Sequence, residues 1–138
     1  MTIRILSIAL LSLWTAGVAA QAERSVKDGV YTEEQAKRGE QVYAETCANC
    51  HGEHMEGADM SPSLVGGTFS SNWNTLTVGD YYDRVRTTMP MDRPGTLSPQ
   101  QIADVIAFIL KSNQYAAGKT ELPNLVAPLK TIKIEPAQ

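Results

Sequence analysis

The chain's two cysteines and one of its two histidines fall together in Cys47-Ala48-Asn49-Cys50-His51. Three chemistries use such a cluster. A redox disulfide needs the two thiols but has no use for the histidine that follows them. A zinc site could recruit Cys47, Cys50, His51 and His54, yet zinc fingers separate their Cys and His pairs by about 12 residues so as to staple two elements together. The third is covalent haem attachment, whose signature is Cys-x-x-Cys-His: two thiols form thioethers with the porphyrin vinyl groups, and the adjacent imidazole reaches the iron as proximal ligand. Cysteines one helical turn apart straddle one edge of the ring, and the next residue then lies below the metal. The spacing favours this third reading, with one haem c as cofactor, Cys47 and Cys50 as its attachment points and His51 on the iron.

A sixth ligand must come from the opposite face of the ring, and the candidates are His54, Met55, Met60, Met89 and Met91. His54 and Met55 follow His51 too closely, and Met60 comes early for the same reason, because the chain must pass around the haem edge before it can return on the far side. Met89 and Met91 lie far enough along. Both sit in a loop punctuated by Pro90 and Pro94, whose fixed φ angles can hold a side chain in place.

Three helices are needed to carry these residues, and capping signals mark their starts. Thr32 with Gln35 three residues on reads as a capping box, after which Ala36, Gly39, Tyr43 and Cys47 share one face. Thr77 with Asp80 opens a second helix, with Tyr81 and Val85 one turn apart before Pro90 halts it. Ser98, Pro99 and Gln101 open the third, whose Ile102, Val105, Ile106 and Ile109 form an amphipathic stripe with Phe108 beside it. From Gly52 to Val78 the chain is rich in Gly, Ser, Thr and Asn and reads as a long functional loop. Its apolar residues, Leu64, Val65, Phe69, Trp73 and Leu76, are too sparse to form a core, and a domain over residues 32–112 is small enough to need a cofactor as staple. After Ser112, prolines at 123, 128 and 136 and loosely spaced Leu129, Ile132 and Ile134 predict an extended tail over 113–138, laid on the domain surface.

Residues 1–22 have the layout of a secretory signal peptide: Arg4, an apolar stretch from Ile5 to Trp14, then small residues with cleavage after Ala20 or Ala22. Export to the periplasm is the expectation, with no stable membrane insertion once the leader is removed. The chain is 20% charged and 43% hydrophobic with a formal charge of −3, which suits one soluble domain and excludes a polytopic membrane protein. It also argues against nucleic acid, since a phosphate binder needs a clustered basic surface. Without Arg4, 11 Lys and Arg face 15 Asp and Glu, about −4, which favours a basic partner surface.

Ala36, Gly39, Tyr43, Cys47 to Gly52, Pro62, Leu64, Gly66, the Met89-Pro90 pair and the final amphipathic helix resemble the pattern of class I cytochromes c. The resemblance implies an all-α fold, three main helices and loops wrapped around one haem, with the first and last helices crossing where Gly39 lets Phe108 and Tyr43 approach. It favours Met89 over Met91 as axial ligand. It also implies that the carbonyl of Pro62 accepts a hydrogen bond from His51, and that Trp73 donates to a haem propionate. Arg84 and Arg86 read as a solvated helix face, and Tyr81 and Tyr82 as packing residues. Asn113 to Leu122, and Thr87-Thr88-Met89-Pro90-Met91 before Arg93-Pro94-Gly95, look like segments of haem domains associated with periplasmic quinoprotein dehydrogenases.

Imidazole and thioether together leave iron no open position, and the soft sulfur favours the ferrous state. The expectation is therefore a carrier of single electrons and not an enzyme, taking them from a dehydrogenase and passing them towards a terminal oxidase or another cytochrome. A haem subunit held permanently in a dehydrogenase or respiratory complex would share every one of these features. A haem enzyme or gas sensor would need an open distal site.

Overall fold

The computed structural model describes residues 23–137, and the leader read over residues 1–22 lies outside them. In chain order the elements are β1 (Arg24–Ser25), a 3₁₀ turn at Val26–Asp28, α1 (Glu33–Thr46), α2 (Ala48–His51), α3 (Gly66–Trp73), α4 (Val78–Thr88), α5 (Pro99–Ser112), α6 (Val126–Leu129) and β2 (Ile132–Lys133). Helices dominate. The two strands make a single parallel pairing, Arg24 opposite Ile132 and Ser25 opposite Lys133.

α5 starts where its sequence says it should. Ser98 Oγ accepts from the Gln101 N–H at 3.2 Å, Gln101 Oε1 accepts from the Ser98 N–H at 2.9 Å, and Pro99 occupies the first turn. Ile102, Val105, Ile106, Ile109 and Leu110 are all buried, each contributing roughly 1.5–3 kcal/mol relative to exposure. Their main partner is α1, and the two helices cross at Gly39. A Cβ at Gly39 would collide with the Asp104 carbonyl and come within 3.0 Å of Phe108 Cβ, so only glycine permits this approach. The Tyr43 and Phe108 rings meet at 5.7 Å just beyond it.

The capping box expected at Thr32 is only half made. Thr32 Oγ1 accepts from the Gln35 N–H at 3.1 Å, but the Gln35 side chain turns away from the helix start. It is fully buried, donating to the Leu122 carbonyl at 2.9 Å and accepting from the Leu122 N–H at 2.6 Å. The two buried backbone groups of Leu122 outbid the single N–H of Thr32 at the helix start.

That pairing also revises the expected tail. Residues 113–137 have no helix or strand for most of their length, but they carry α6 and β2 and bury Tyr115, Leu122, Leu129, Ile132 and Ile134. The segment is part of the core, joined to the N-terminal residues by hydrogen bonds from the Tyr31 hydroxyl to the Tyr115 carbonyl and from the Gly118 N–H to the Tyr31 carbonyl.

The Gly52–Val78 stretch, expected as one irregular loop, contains α3. No side chain caps it locally: Val65 is its N-cap, and the Gly66 N–H is taken by Asn113 Oδ1 at 3.0 Å, from the far end of α5. Asn113 Nδ2 donates in turn to the carbonyls of Leu64 and Ile109, both at 2.9 Å. One buried amide thus ties the end of α5 to the start of α3.

Candidate haem site

α1 runs into α2 at Cys47, which caps both: its N–H donates to the Tyr43 carbonyl at 2.8 Å, and its carbonyl receives the N–H groups of Cys50 and His51. Cys47 is half-buried and Cys50 exposed, and the two thiols are free of one another. Burial, with the neighbouring Cys50 as a lesser cause, pushes the Cys47 thiol up to about 11. An attacking redox cysteine needs the opposite, a depressed thiol.

His51 is buried, and its Nδ1 lies 2.9 Å from the Pro62 carbonyl. A carbonyl only accepts, so Nδ1 carries the proton and Nε2 of the neutral ring is left with its lone pair. The loop that brings Pro62 back is pinned at several points. The Gly57 N–H donates to the His51 carbonyl at 2.8 Å, the Leu64 N–H to the Met55 carbonyl at 2.9 Å, and the Tyr43 hydroxyl to the Gly52 carbonyl at 2.6 Å. Met55 is buried at the centre of the loop in a left-handed conformation (φ 62°). Burial raises the Tyr43 hydroxyl to about 12, so it stays a donor at neutral pH.

On another side α4 ends at Met89, whose N–H donates to the Val85 carbonyl at 2.9 Å before the backbone turns extended. Thr87 and Thr88 close the last turn by donating to the carbonyls of Asp83 and Arg84 at 2.6 and 2.7 Å. Met89 is half-buried against the core, whereas Met91 is 74% exposed and Met60 93% exposed. Trp73 is half-buried, its ring tilted against that of the buried Tyr81 at a centroid distance of 4.3 Å, and Phe69 meets the edge of Tyr81 at 5.8 Å. Tyr82 is buried, Arg84 exposed, and Arg86 pairs with Asp83 at 2.9 Å.

These residues suit haem c better than the alternatives. His54 is exposed, and among the described residues no group of three or more His, Cys, Asp or Glu gathers to hold a metal ion by itself. Two unbridged thiols, an imidazole with one nitrogen committed, and half-covered apolar residues (Leu64, Val65, Trp73, Met89) against the core make up the donor set and wall that a covalently attached porphyrin requires.

Residues 34–109 match the family model described as cytochrome c oxidase, cbb3-type, subunit III. The chain belongs to this cytochrome c family. It is accordingly an all-α class I monohaem c-type cytochrome with haem c as its cofactor, and electron transfer is the family's work. A curated relative, cytochrome c-554(547) of Halothiobacillus neapolitanus, is 27% identical over 101 residues, covering 71% of this chain and 97% of that one. A solved structure, the sulfane dehydrogenase SoxCD from Paracoccus pantotrophus, aligns with a TM-score of 0.48 at 28% identity, over 64% of this chain and 53% of that one. The chain thus spans about half the length of that SoxCD chain. Among the described residues no helix of the cytochrome is long and apolar enough to cross a membrane.

The sequence reading did not single out Asn113 or the structural use of Met55. Asn directly after a helix is a recognisable C-terminal signal, but nothing local announces that it serves α3 as well. For Met55 the chain offers no periodicity at all.

Proposed function

We propose that this cytochrome is a periplasmic carrier of single electrons, with Cys47 and Cys50 as thioether attachments, His51 and Met89 as axial ligands, and the Pro62 carbonyl and Trp73 as supporting groups. When bound, the haem would supply one-electron exchange, and His51 and Met89 together would leave its iron no position for a substrate. His51 would present Nε2 to the metal while Pro62 holds the Nδ1 proton, which fixes the ring and strengthens its basicity. Cys47 and Cys50 would hold the group covalently. Met89, half-buried at the end of α4, would meet it from the other face, while Trp73 offers an indole N–H beside the Tyr81 ring. The observation that carries the reading is the 2.9 Å contact between His51 Nδ1 and the Pro62 carbonyl beside two free thiols.

Met89→Ala should abolish the red charge-transfer band of the ferric protein, lower the potential and let carbon monoxide bind the ferrous form, while Met91→Ala leaves the spectrum alone. Carbon monoxide binding to the unmodified protein would instead indicate an open distal site, and so an enzyme or sensor. The donor we propose is a periplasmic dehydrogenase, of the quinoprotein class by the resemblance of residues 87–95 and 113–122, and the acceptor an oxidase or another cytochrome. The oxidase subunit in the family's description favours a second reading, a haem subunit fixed in a larger complex. Copurification with a large partner would support that reading, and elution at the size of the chain alone would support the shuttle.

A further inference from the structure

We propose that the distal half of the C-terminal segment, residues 124–134, is the positioning element for α4 and so sets how firmly Met89 is held. The proposal rests on the reading of Met89 as an axial ligand. α1 is packed on α5 and, through Cys47, leads into α2, which carries Cys50 and His51 and packs on α1, whereas α4 is packed on α6 and β2 as well as on α5. The Tyr82 hydroxyl donates to the carbonyls of Asn124 at 3.1 Å and Pro99 at 3.3 Å. Gly79 lies directly on Lys130, where an added Cβ would stand 2.8 Å from the Lys130 nitrogen and 3.0 Å from its Cα. The turn that leads into α4 is bracketed by Ile134, whose N–H donates to the Leu76 carbonyl at 2.8 Å and whose carbonyl accepts from the Thr75 N–H at 3.1 Å. Lys130 Nζ stands 3.7 Å from Asp80 Oδ1. Leu129 and Ile134 are buried, so this half of the segment is locked in place.

The proximal half engages the other side of the molecule: Tyr115 and Gly118 meet Tyr31, Glu121 meets Arg38, and Leu122 meets Gln35. Met89 is the last residue bonded into α4, so a displacement of that helix moves it directly. Loosening the distal half should therefore raise the fraction of protein in which Met89 has let go, without loosening His51.

Imidazole added to the ferric holoprotein reads that fraction, because its apparent affinity rises with the population of the open state. Gly79→Ala, which pushes α4 off Lys130, should bring half-loss of the red band at about one tenth of the wild-type imidazole concentration. Tyr82→Phe, a milder change that keeps the packing, should lower it roughly threefold. Gln35→Ala undocks the proximal half, and should lower the thermal midpoint while leaving the imidazole concentration unchanged. Wild-type imidazole curves for both Gly79→Ala and Tyr82→Phe would overturn the proposal, as would a shift in Gln35→Ala as large as theirs. A red band that survives Met89→Ala would instead overturn the ligand reading beneath it.

Discussion

The loop behind His51 and the loop beyond Met89 are built by opposite strategies. Between Gly52 and Leu64 the chain folds around a buried methionine and bonds to itself repeatedly, so that Pro62 returns to His51 with its carbonyl already aimed. Between Met89 and Leu97 there is one turn bond, from the Arg93 N–H to the Pro90 carbonyl, two side-chain bonds, from Thr96 to the Arg93 carbonyl and from Arg93 to its neighbour Asp92, and largely exposed side chains. Precision on the first side is local; on the second it is borrowed from α4 and from what α4 packs against. The two sides also differ in charge. Glu53, Glu56 and Asp59 stand exposed on the first, whereas on the second Asp83 and Asp92 are paired with Arg86 and Arg93.

Removing the attachment breaks the comparison altogether. Cys47→Ala with Cys50→Ala should yield a chain that keeps no haem after acid and organic solvent and has lost most of its helical circular dichroism, since the cofactor completes the core. The wild-type protein should retain its haem under the same extraction. Gly39→Ala comes next: the new methyl meets the backbone of α5, and chemical denaturation of the holoprotein should show a loss of about 3 kcal/mol. Gln35→Ala strands the Leu122 N–H and carbonyl in the interior and should cost about 2 kcal/mol by the same measurement. The smallest effect tests the charge contrast. Reduction by a basic partner protein should slow as salt rises, and Glu53→Lys should slow it more than Asp92→Lys does. A rate indifferent to salt would point to an apolar contact, of the kind a fixed subunit makes.

What could be read from the sequence follows the same division between local and borrowed order. The starts of α4 and α5 are legible because Thr77 with Asp80 and Ser98 with Gln101 satisfy each other within one turn. Cys47, Cys50 and His51 announce a site because the residues that would bind lie within a single turn of chain. α3 is not legible, since its first free N–H is met by Asn113, 47 residues away. Burial of the C-terminal segment is hidden for a similar reason: its apolar residues follow no period, and they are covered by residues distant in the chain. The Thr32 box misleads because a glutamine three residues after a threonine has the right type for a cap and, here, a stronger claim on it elsewhere.

The contact between Gln35 and Leu122 has a consequence for how this molecule tolerates change over time. A primary amide carries a donor nitrogen beside an acceptor oxygen, and it meets the two backbone groups of residue 122 much as a neighbouring strand would. Backbone groups are the same in every residue but proline, so the polar part of the docking at this point is specified from α1, while the buried Leu122 side chain supplies the apolar part. Another apolar side chain that fits the space of Leu122 would keep both hydrogen bonds. At position 35 no such freedom exists: a glutamate of identical shape would still accept from the N–H but would set a charge against the carbonyl, and asparagine falls one methylene short.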